Sequence, residues 1–278
     1  MSELYKSRVL VAADEPTFGT YAPRGLQAFV LAFAHIPPFY RGSLRRPMAN
    51  LVRRLGQGVV DVTQRGISFR LRRGTNLIED GILVHPSYNG AEIRFLEEGT
   101  PAGGTFVDLG ANIGLYTLPL ALKAGPQGHV LAIDANPDIV PALAFNLAAS
   151  KLANVIIACC AVGEKPGRAR LEIRKADLAI VEVAEDPAGE IVIRTLADIV
   201  TEAGLTRVDT LKADIEGFED QALLPYFASV GEHLWPKRIV IEHLARDDWK
   251  TDCFPVFERL GYRLCGQTRG NSLFERQA

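Results

Sequence analysis

The segment FVDLGANIGLYT, residues 106–117, has the residue types and spacing of a ligand-binding turn. A β-forming run from Thr105 leads to Asp108. Gly110 and Gly114 follow, and then an apolar stretch typical of a helix. Glycine tolerates the positive φ of a sharp turn and lets a ligand approach the backbone closely. Because the first N–H groups of a helix lack internal partners, we expect them to point into the crevice as donors.

The turn departs from the G-x-G-x-x-G pattern of nicotinamide and flavin enzymes at the second glycine, where Asn112 stands. Without that glycine the backbone folds less closely around a pyrophosphate. We expect the Asp108 carboxylate to face the crevice, where it repels phosphate and suits a cation such as an α-ammonium or a sulfonium. A nicotinamide-dependent oxidoreductase, or a turn that binds nothing, remains as an alternative.

Acidic residues end four of the five main predicted strands. In a doubly wound sheet, ligands bind beyond the carboxyl ends of the strands, so we expect these acids to share one crevice. The acid ending the second strand lies 24 residues after the first glycine of the turn and is placed to accept both hydroxyls of a ribose. The acids are Asp108, Asp134, Asp214 with Glu216, and Glu242, which His243 follows.

The chain around these residues alternates strands with helices, which predicts an α/β fold with a parallel sheet covered on both faces. Pro119 falls inside the first predicted helix and indicates a kink or a late start. Residues 168–174 and 190–194 look like an inserted hairpin. The other predicted strands are 105–107, 129–133, 154–161, 208–215, 238–242, 262–265 and 272–275, and the helices cover 137–150, 195–199 and 254–260.

The N-terminal part has a different pattern. Residues 1–22 show no periodicity and predict an arm. Helices are predicted over 23–35 and 44–55, then a hairpin over 59–73 that turns at Gln64-Arg65-Gly66, and a short helix within 84–98. We expect residues 1–58 to form an arm and helices that pack on a domain of residues 59–278, or over its mouth as a lid.

Charge is unevenly distributed along the chain. The formal net charge is −2 and the pI about 6.2. Residues 1–75 hold 12 Lys and Arg against 4 Asp and Glu, a net +8, which leaves 19 against 29, or −10, for the remainder. The basic part is either a solvated face or a surface for an anionic substrate or anionic lipid heads. We expect no nucleic-acid partner, since the excess of basic residues is confined to this part of the chain.

The sequence favours a cytoplasmic protein. No signal peptide opens the chain, and the apolar run 26–36 is about half of the roughly 20 residues that span a bilayer. Peripheral membrane contact stays open. Neither a C-x-x-C spacing nor a zinc pattern is present, which fits a reducing compartment; the cysteines are Cys159, Cys160, Cys253 and Cys265.

Five segments together resemble the FkbM family of class I S-adenosylmethionine-dependent methyltransferases. The resemblance covers the chain from about Val59 and implies a Rossmann-like, seven-stranded, mostly parallel sheet with a reversed last hairpin. It also implies methylation of a hydroxyl on a sugar, lipid or secondary metabolite. The segments are FVDLGANIGLYT (106–117), DANP (134–137), AVGEKPGRARLEI (161–173), TLADIV (195–200) and LKADIEGFEDQALL (211–224).

The resemblance implies roles for individual residues in binding S-adenosylmethionine. The turn would surround the methionine part, the acid ending the second strand would hold the ribose, and the end of the third strand would contact the adenine. Glu92, before the first strand, is expected to reach the amino-acid end. The predicted cofactor residues are Glu92, Asp108, Gly110, Ala111, Asn112, Gly114, Asp134, Ala135, Ala161, Val162 and Asp214.

Methyl transfer to an alcohol needs alignment of donor and acceptor and removal of a proton. The candidate bases are Asp214, Glu216 and His243. As a further hypothesis, Asp214, Glu242 and His243 would hold a divalent ion that lowers the pKa of the acceptor hydroxyl. A cofactor-binding subunit without catalysis remains as the third function, and the acceptor and oligomeric state stay open.

Overall fold

The computed structural model describes residues 4–6, 15–72, 77–173 and 181–277. Strands and helices alternate through the second half of the chain. The strands are β1 (Leu4–Lys6), β2 (Val60–Gln64), β3 (Ile67–Leu71), β4 (Thr105–Leu109), β5 (His129–Asp134), β6 (Val155–Cys159), β7 (Ala161–Val162), β8 (Gly167–Ile173), β9 (Val181–Glu185), β10 (Ile191–Arg194), β11 (Thr210–Ala213), β12 (Arg238–Glu242), β13 (Tyr262–Gln267) and β14 (Asn271–Arg276). The α-helices are α1 (Gly25–Ala34), α2 (Arg45–Arg54), α3 (Leu77–Val84), α4 (Gly90–Gly99), α5 (Thr117–Ala124), α6 (Val140–Ala149), α7 (Leu196–Glu202), α8 (Glu219–Ser229) and α9 (Cys253–Arg259).

The central sheet has the order β1-β6-β5-β4-β11-β12-β14-β13. β4 lies in the middle and pairs in parallel with β5 and β11, so that Val107 is opposite both Leu131 and Leu211. β14 runs antiparallel between β12 and β13. This confirms the seven-stranded sheet with a reversed last hairpin, and it places the carboxyl ends of β4, β5, β11 and β12 on one edge.

Within the predicted arm of residues 1–22, the sequence analysis did not predict β1. This strand pairs antiparallel with the edge strand β6 and adds an eighth strand to the sheet. Three residues are too few to show a period of two, so the sequence pattern carried no signal for them.

The two faces of the sheet bury separate cores, as alternation along a strand requires. Phe106 faces the core that also holds Ile113 of the turn after β4. Its neighbour Val107 faces the other core, which holds Phe227 of α8 and Phe257 of α9. All five residues of β4 are buried, including the polar Asp108.

A second sheet, of order β7-β10-β8-β9, forms beside the end of β6. The predicted hairpin of β8 with β10 is confirmed, since Ala169 is opposite Ile191. The single predicted third strand is divided into β6 and β7, and β7 leaves the central sheet to pair in parallel with β10. The last residue of the predicted hairpin strand, Arg174, lies outside the described residues.

The prolines explain where two helices begin. α5 starts at Thr117, so Pro119 lies in its first turn, where a missing N–H costs no helical hydrogen bond. The predicted late start is confirmed. α6 begins at Val140 and not at Pro137, because the Asn136 side chain accepts a hydrogen bond from the Asp138 N–H at 3.0 Å and holds a turn there. The sequence analysis did not predict α3.

The predicted N-terminal helices and hairpin are confirmed as α1, α2, β2 and β3. α1 and α2 pack together, and the buried Gln27 donates from Nε2 to the Val52 carbonyl at 3.1 Å. α2 packs on α3, where Arg53 forms an ion pair with Asp80.

Arg70, on β3, is almost fully buried, and its guanidinium makes several hydrogen bonds. Its guanidinium donates to both carboxylate oxygens of Asp61, at 2.8 and 2.9 Å. It also donates to Glu15 at 2.9 Å and to two backbone carbonyls, those of Pro16 and Thr17. The segment before α1 is thereby fixed to the hairpin.

Within the described ranges, no helix is both long and apolar enough to cross a bilayer. None of the four cysteines forms a disulfide in this part of the chain.

Candidate active site

A cavity of about 530 Å³ opens at the carboxyl ends of β4, β5, β11 and β12. Its size is that of a typical small-molecule site. Its lining contains both acidic and apolar residues. The acidic residues on its wall are Asp134, Asp214, Glu216, Glu242 and Asp248, and the apolar ones include Ala135, Ile139, Ala161, Val162, Leu171 and Leu244.

The turn after β4 forms the floor of the cavity and needs its glycine. Gly110 has φ +74°, and a Cβ there would lie 1.9 Å from the carbonyl oxygen of Asp214. Only a residue without a side chain lets the turn after β4 touch the turn after β11. The first glycine of the motif therefore joins two strand-end turns.

Asn112 replaces the second glycine and still adopts a positive φ, of 49°. Asparagine tolerates this left-handed conformation better than most residues. Its side-chain oxygen accepts a hydrogen bond from the Ile113 N–H at 2.8 Å, and its own N–H donates to Oδ2 of Asp134 at 2.7 Å. The turn after β4 is thereby fixed to the end of β5.

Asp134 is a fixed acceptor at the cavity wall. Besides Asn112, the N–H of Asn136 donates to its Oδ1 at 2.9 Å. Burial raises the pKa of Asp134, and these two backbone N–H groups oppose that rise only in part. Two donors hold the carboxylate in one orientation, and each of its oxygens keeps a further lone pair for a ligand hydroxyl.

Lys212, on β11, is a buried cation that the sequence analysis missed. Its Nζ donates to the carbonyls of Leu109, at 3.0 Å, and Gly110, at 2.7 Å. It lies 3.6 Å from a carboxylate oxygen of Asp108 and 3.6 Å from one of Asp214. Burial lowers the pKa of Lys212, but the negative charges of Asp214 and Asp108 outweigh that effect and raise it. The available signal was a lysine inside VDTLKADI, a run predicted to be a buried strand.

Asp108 does not line the cavity, contrary to the expectation that its carboxylate faces the crevice. The side chain is fully buried, and Oδ2 accepts a hydrogen bond from Thr117 Oγ at 2.6 Å. Burial raises the pKa of Asp108 more than Lys212 and Thr117 lower it. The helix α5 begins at Thr117, so this acid ties the start of that helix to the sheet.

Glu242 is a carboxylate on the cavity wall whose pKa is strongly raised. Burial, and the negative charges of Asp214, Glu216 and Glu219, raise its pKa to about 9, against the opposing charge of Lys212. Its Oε2 is buried and has no hydrogen-bond partner in the described part of the chain. Glu242 therefore holds a proton at neutral pH.

Glu219 shapes the turn that carries Asp214 and Glu216. Its carboxylate accepts from the N–H groups of Ile215, at 2.7 Å, and Gly217, at 3.1 Å, and from Trp249 Nε1 at 2.7 Å. Glu216 adopts φ 55° within this turn. The last acid of the DIEGFE run is thus a structural carboxylate, while the first two line the cavity.

The predicted site residues divide into two groups. Gly110, Asn112, Asp134, Ala135, Ala161, Val162, Asp214 and Glu216 line the cavity. Glu92, Asp108, Ala111, Gly114 and His243 do not.

Three of the residues away from the wall have contacts elsewhere. Glu92 accepts a hydrogen bond from Thr268 Oγ at 2.6 Å. Gly114 packs closely on Leu118, since a Cβ at this position would lie 2.0 Å from the Leu118 side chain. The Nδ1 of His243 lies 2.9 Å from Ser272 Oγ.

The hypothesis of a divalent ion held by Asp214, Glu242 and His243 finds no support in the geometry. Among residues 4–6, 15–72, 77–173 and 181–277, no three His, Cys, Asp or Glu side chains converge as metal ligands. His243 turns towards β14, and the cation nearest to Asp214 is the amino group of Lys212.

The family model described as "Methyltransferase FkbM domain" matches residues 108–264, more than half of the 278-residue chain. The match begins at Asp108 and includes the turn after β4, the inserted sheet and all of the acidic wall. No curated protein matches the sequence.

Several solved structures are similar in fold. A putative rRNA methylase from Clostridium thermocellum is 13% identical, covers 68% of this chain and 95% of its own, and has a TM-score of 0.42. A putative methyltransferase from Streptococcus mutans in complex with SAH is 11% identical, with coverages of 68% and 97% and a TM-score of 0.42. A precorrin-6y C5,15-methyltransferase from Geobacter metallireducens GS-15 is 14% identical, with coverages of 69% and 90% and a TM-score of 0.42.

Proposed function

Because this chain belongs to the FkbM methyltransferase family, we propose that it methylates a hydroxyl oxygen of a small or glycosylated acceptor. Membership makes the chain an S-adenosylmethionine-dependent methyltransferase, in line with the resemblance of its motifs. The hydroxyl acceptor and the residues that act on it are the proposal. The family match also removes the support for a nicotinamide-dependent oxidoreductase.

The cavity fits S-adenosylmethionine in its chemistry. Asp134, with both oxygens oriented by backbone N–H groups, suits the two ribose hydroxyls. Ala161 and Val162, with Leu171, offer an apolar wall for the adenine ring. The remaining carboxylates give the cavity a negative character that suits the positively charged sulfur and the ammonium group. Gly110 and Asn112 form the floor between these parts.

The observation that best supports a hydroxyl acceptor is the raised pKa of Glu242 on the cavity wall. A carboxyl group with a pKa of about 9 is a much stronger base, once ionised, than an ordinary glutamate. Glu242 lines the cavity, and once its own proton has left to solvent the carboxylate can take up the proton of an acceptor hydroxyl. Asp214 and Glu216 line the same cavity and are the other candidates.

The mechanism divides the work between binding groups and a base. When bound, S-adenosylmethionine supplies an activated methyl group on a cationic sulfur. The residues of this chain then have to hold the acceptor in line and accept its proton. Glu242 ionises more readily when a cation enters the cavity, because an opposite charge favours the carboxylate. Lys212 partly offsets the repulsion among the surrounding acids.

The test is the variant Glu242→Gln, which keeps the shape of the side chain and removes the base. We expect turnover of a hydroxyl acceptor to fall by roughly 10²- to 10⁴-fold. The affinity for S-adenosylmethionine, measured by calorimetry, should change less than about threefold, a free-energy change below about 1 kcal/mol. Glu258→Gln, on the exposed face of α9, is the matched control and should retain full turnover.

Product analysis with a labelled methyl group identifies the acceptor atom. A panel of sugars, lipids, secondary metabolites and RNA should give an O-methylated product with a hydroxyl acceptor. Label on a nitrogen or carbon atom, or on RNA only, would exclude the proposal. Tight cofactor binding with no transfer to any acceptor would favour the non-catalytic subunit, and full turnover in Glu242→Gln would exclude Glu242 as the base.

A further inference from the structure

The surface of α1, α2 and the segment between them is unusually apolar. Seven of the ten large hydrophobic residues exposed in the described part of the chain lie between positions 26 and 55. We call these seven the N-terminal apolar surface. They are Leu26, Phe29, Phe33, Ile36, Leu44, Leu51 and Leu55.

α1 contributes an exposed stripe that folding leaves uncovered. Its inner side packs through Gln27 and Ala34, which are buried. On the outer side, Leu26 is 64% exposed and Phe29 69% exposed, and Phe33 follows one turn later. A helix that is apolar all round is normally buried on all sides. This helix is buried on one side only.

α2 continues the surface with a second stripe. Leu51 and Leu55 are one helical turn apart, and Leu44 precedes Leu51 by seven residues, so the three share a line along the helix axis. All three are exposed. Because Gln27 on α1 bonds the carbonyl of Val52 on α2, the two stripes belong to one packed unit.

The charge around this surface has one sign. Residues 16–60 contain six arginines and no Asp or Glu. One of them, Arg53, is buried in its ion pair with Asp80. The other five form no ion pair with a carboxylate in the described part of the chain, and they are Arg24, Arg41, Arg45, Arg46 and Arg54.

We propose that the N-terminal apolar surface, with its five arginines, docks on the surface of a bilayer that contains anionic lipids. Apolar side chains enter the boundary between head groups and acyl chains, and arginines attract the anionic head groups. At 10 residues, α1 is far too short to span a bilayer and suits a position in the plane of the interface.

A second copy of the chain fits this surface less well. In a symmetric dimer the same patch meets itself, so the arginines of one copy would face those of the other with no acid from residues 16–60 between them. An anionic lipid surface supplies the missing negative charge.

The docked face lies beside the cavity. The guanidinium of Arg45 stacks over the ring of Tyr88 at 5.4 Å, and Tyr88 lines the cavity. Docking would therefore bring this wall of the cavity close to the lipid head groups. The proposal concerns binding alone and does not depend on the identity of the methyl acceptor.

The test is co-sedimentation of the full chain with phosphatidylcholine vesicles, with and without phosphatidylglycerol. We expect binding to vesicles that contain phosphatidylglycerol, weak binding to pure phosphatidylcholine, and loss of binding as salt screens the arginines. The double variant Phe29→Ser/Phe33→Ser should weaken the partition coefficient more than about tenfold, because two aromatic anchors are removed. Arg46→Glu/Arg54→Glu should weaken it to a similar extent.

Leu122→Ser is the matched control, because Leu122 is 50% exposed on α5, outside this surface, and should bind vesicles like the unaltered chain. Circular dichroism and calorimetry with S-adenosylmethionine check that each variant folds. The proposal is overturned if the unaltered chain stays in solution with phosphatidylglycerol vesicles, or if Phe29→Ser/Phe33→Ser binds them normally. A dimer in sedimentation equilibrium that this double variant dissolves, without vesicle binding by the unaltered chain, would assign the surface to a second copy. Since no methyl acceptor is present, none of these results bears on the methyl-transfer proposal.

Discussion

Two buried cations, Arg70 and Lys212, are held in opposite ways. The Arg70 guanidinium makes hydrogen bonds to both oxygens of Asp61, and further ones to Glu15 and two carbonyls. Among the described residues, Lys212 donates hydrogen bonds to the carbonyls of Leu109 and Gly110, and its Nζ lies 3.6 Å from carboxylate oxygens of Asp108 and Asp214. Arg70 donates directly to both carboxylate oxygens of Asp61. Lys212 lowers the repulsion between Asp108 and Asp214 from a distance of 3.6 Å, without a hydrogen bond to either carboxylate.

The difference separates a structural charge cluster from one suited to chemistry. Both oxygens of Asp61 already accept hydrogen bonds from Arg70, which leaves less capacity for a ligand. Around Lys212, by contrast, one oxygen each of Asp108 and Glu242 is buried with no hydrogen-bond partner in the described part of the chain. Unsatisfied buried polar atoms are costly, and in native proteins they call for an explanation. Of these two residues, Glu242 lines the cavity and Asp108 does not.

The largest expected effect on stability is at Arg70. Arg70→Met leaves the buried acid Asp61 without its cationic partner, so the free energy of unfolding should fall by roughly 3–5 kcal/mol in urea titrations. Arg72→Met is the matched control, because the Arg72 side chain is 39% exposed and pairs with Glu15, and the change should cost less than about 1 kcal/mol. Equal losses in the two variants would contradict the structural role of the Arg70 cluster.

A smaller loss is expected at Lys212. Lys212→Met leaves two carboxylates uncompensated but breaks no hydrogen bond to them, so we expect roughly 2 kcal/mol at pH 8. The variant should recover stability as the pH falls. Asp108 already has a raised pKa in the folded chain, and loss of the lysine raises it further, so the folded variant binds a proton that the unfolded chain binds only at lower pH. Urea titrations between pH 5 and pH 8 measure this recovery. A loss independent of pH would contradict it, and the exposed Lys123→Met is the control.

The effect expected at Glu242 has the opposite sign. The folded pKa of Glu242, about 9, lies above the ordinary value of 4.5, so the folded chain holds a proton that the unfolded chain loses. Stability from this group is fully present below the unfolded pKa and declines as the pH rises from about 4.5 to 9. Glu242→Gln removes the decline, and at pH 8 it should be more stable than the unaltered chain, because each pKa unit of difference corresponds to about 1.4 kcal/mol. A less stable variant at pH 8 would show that Glu242 is structural.

Much of the site was predictable because the strand ends follow from local sequence. A buried run followed by an acid or a glycine marks the end of a parallel strand, and this rule correctly located the ends of β4, β5, β11 and β12 on one edge. It could not tell which acids turn inward. Asp108 belongs to a strand whose five residues are all buried. Its hydrogen bond with Thr117 could not be predicted without knowing that α5 begins at Thr117.

The rest required contacts between distant segments. In the sequence, Lys212 is a single charged residue within a predicted strand. Its hydrogen bonds are to the end of β4 and the turn after it, about a hundred residues earlier in the sequence. The raised pKa of Glu242 depends on its burial and on acids from the turn after β11 and the start of α8. β1 is too short for any pattern, and its place is set by the free edge of β6. Tertiary proximity, and not local preference, determined these features.

The close approach at Gly110 sets a limit on enzyme engineering. Where a single methyl group would collide with the backbone of Asp214, neither adjoining turn can be remodelled separately. Side chains farther along the wall, such as Leu171 and Leu244, project into the same cavity from other parts of the chain. A library aimed at new acceptors should therefore vary those distal wall positions and leave the turn unchanged.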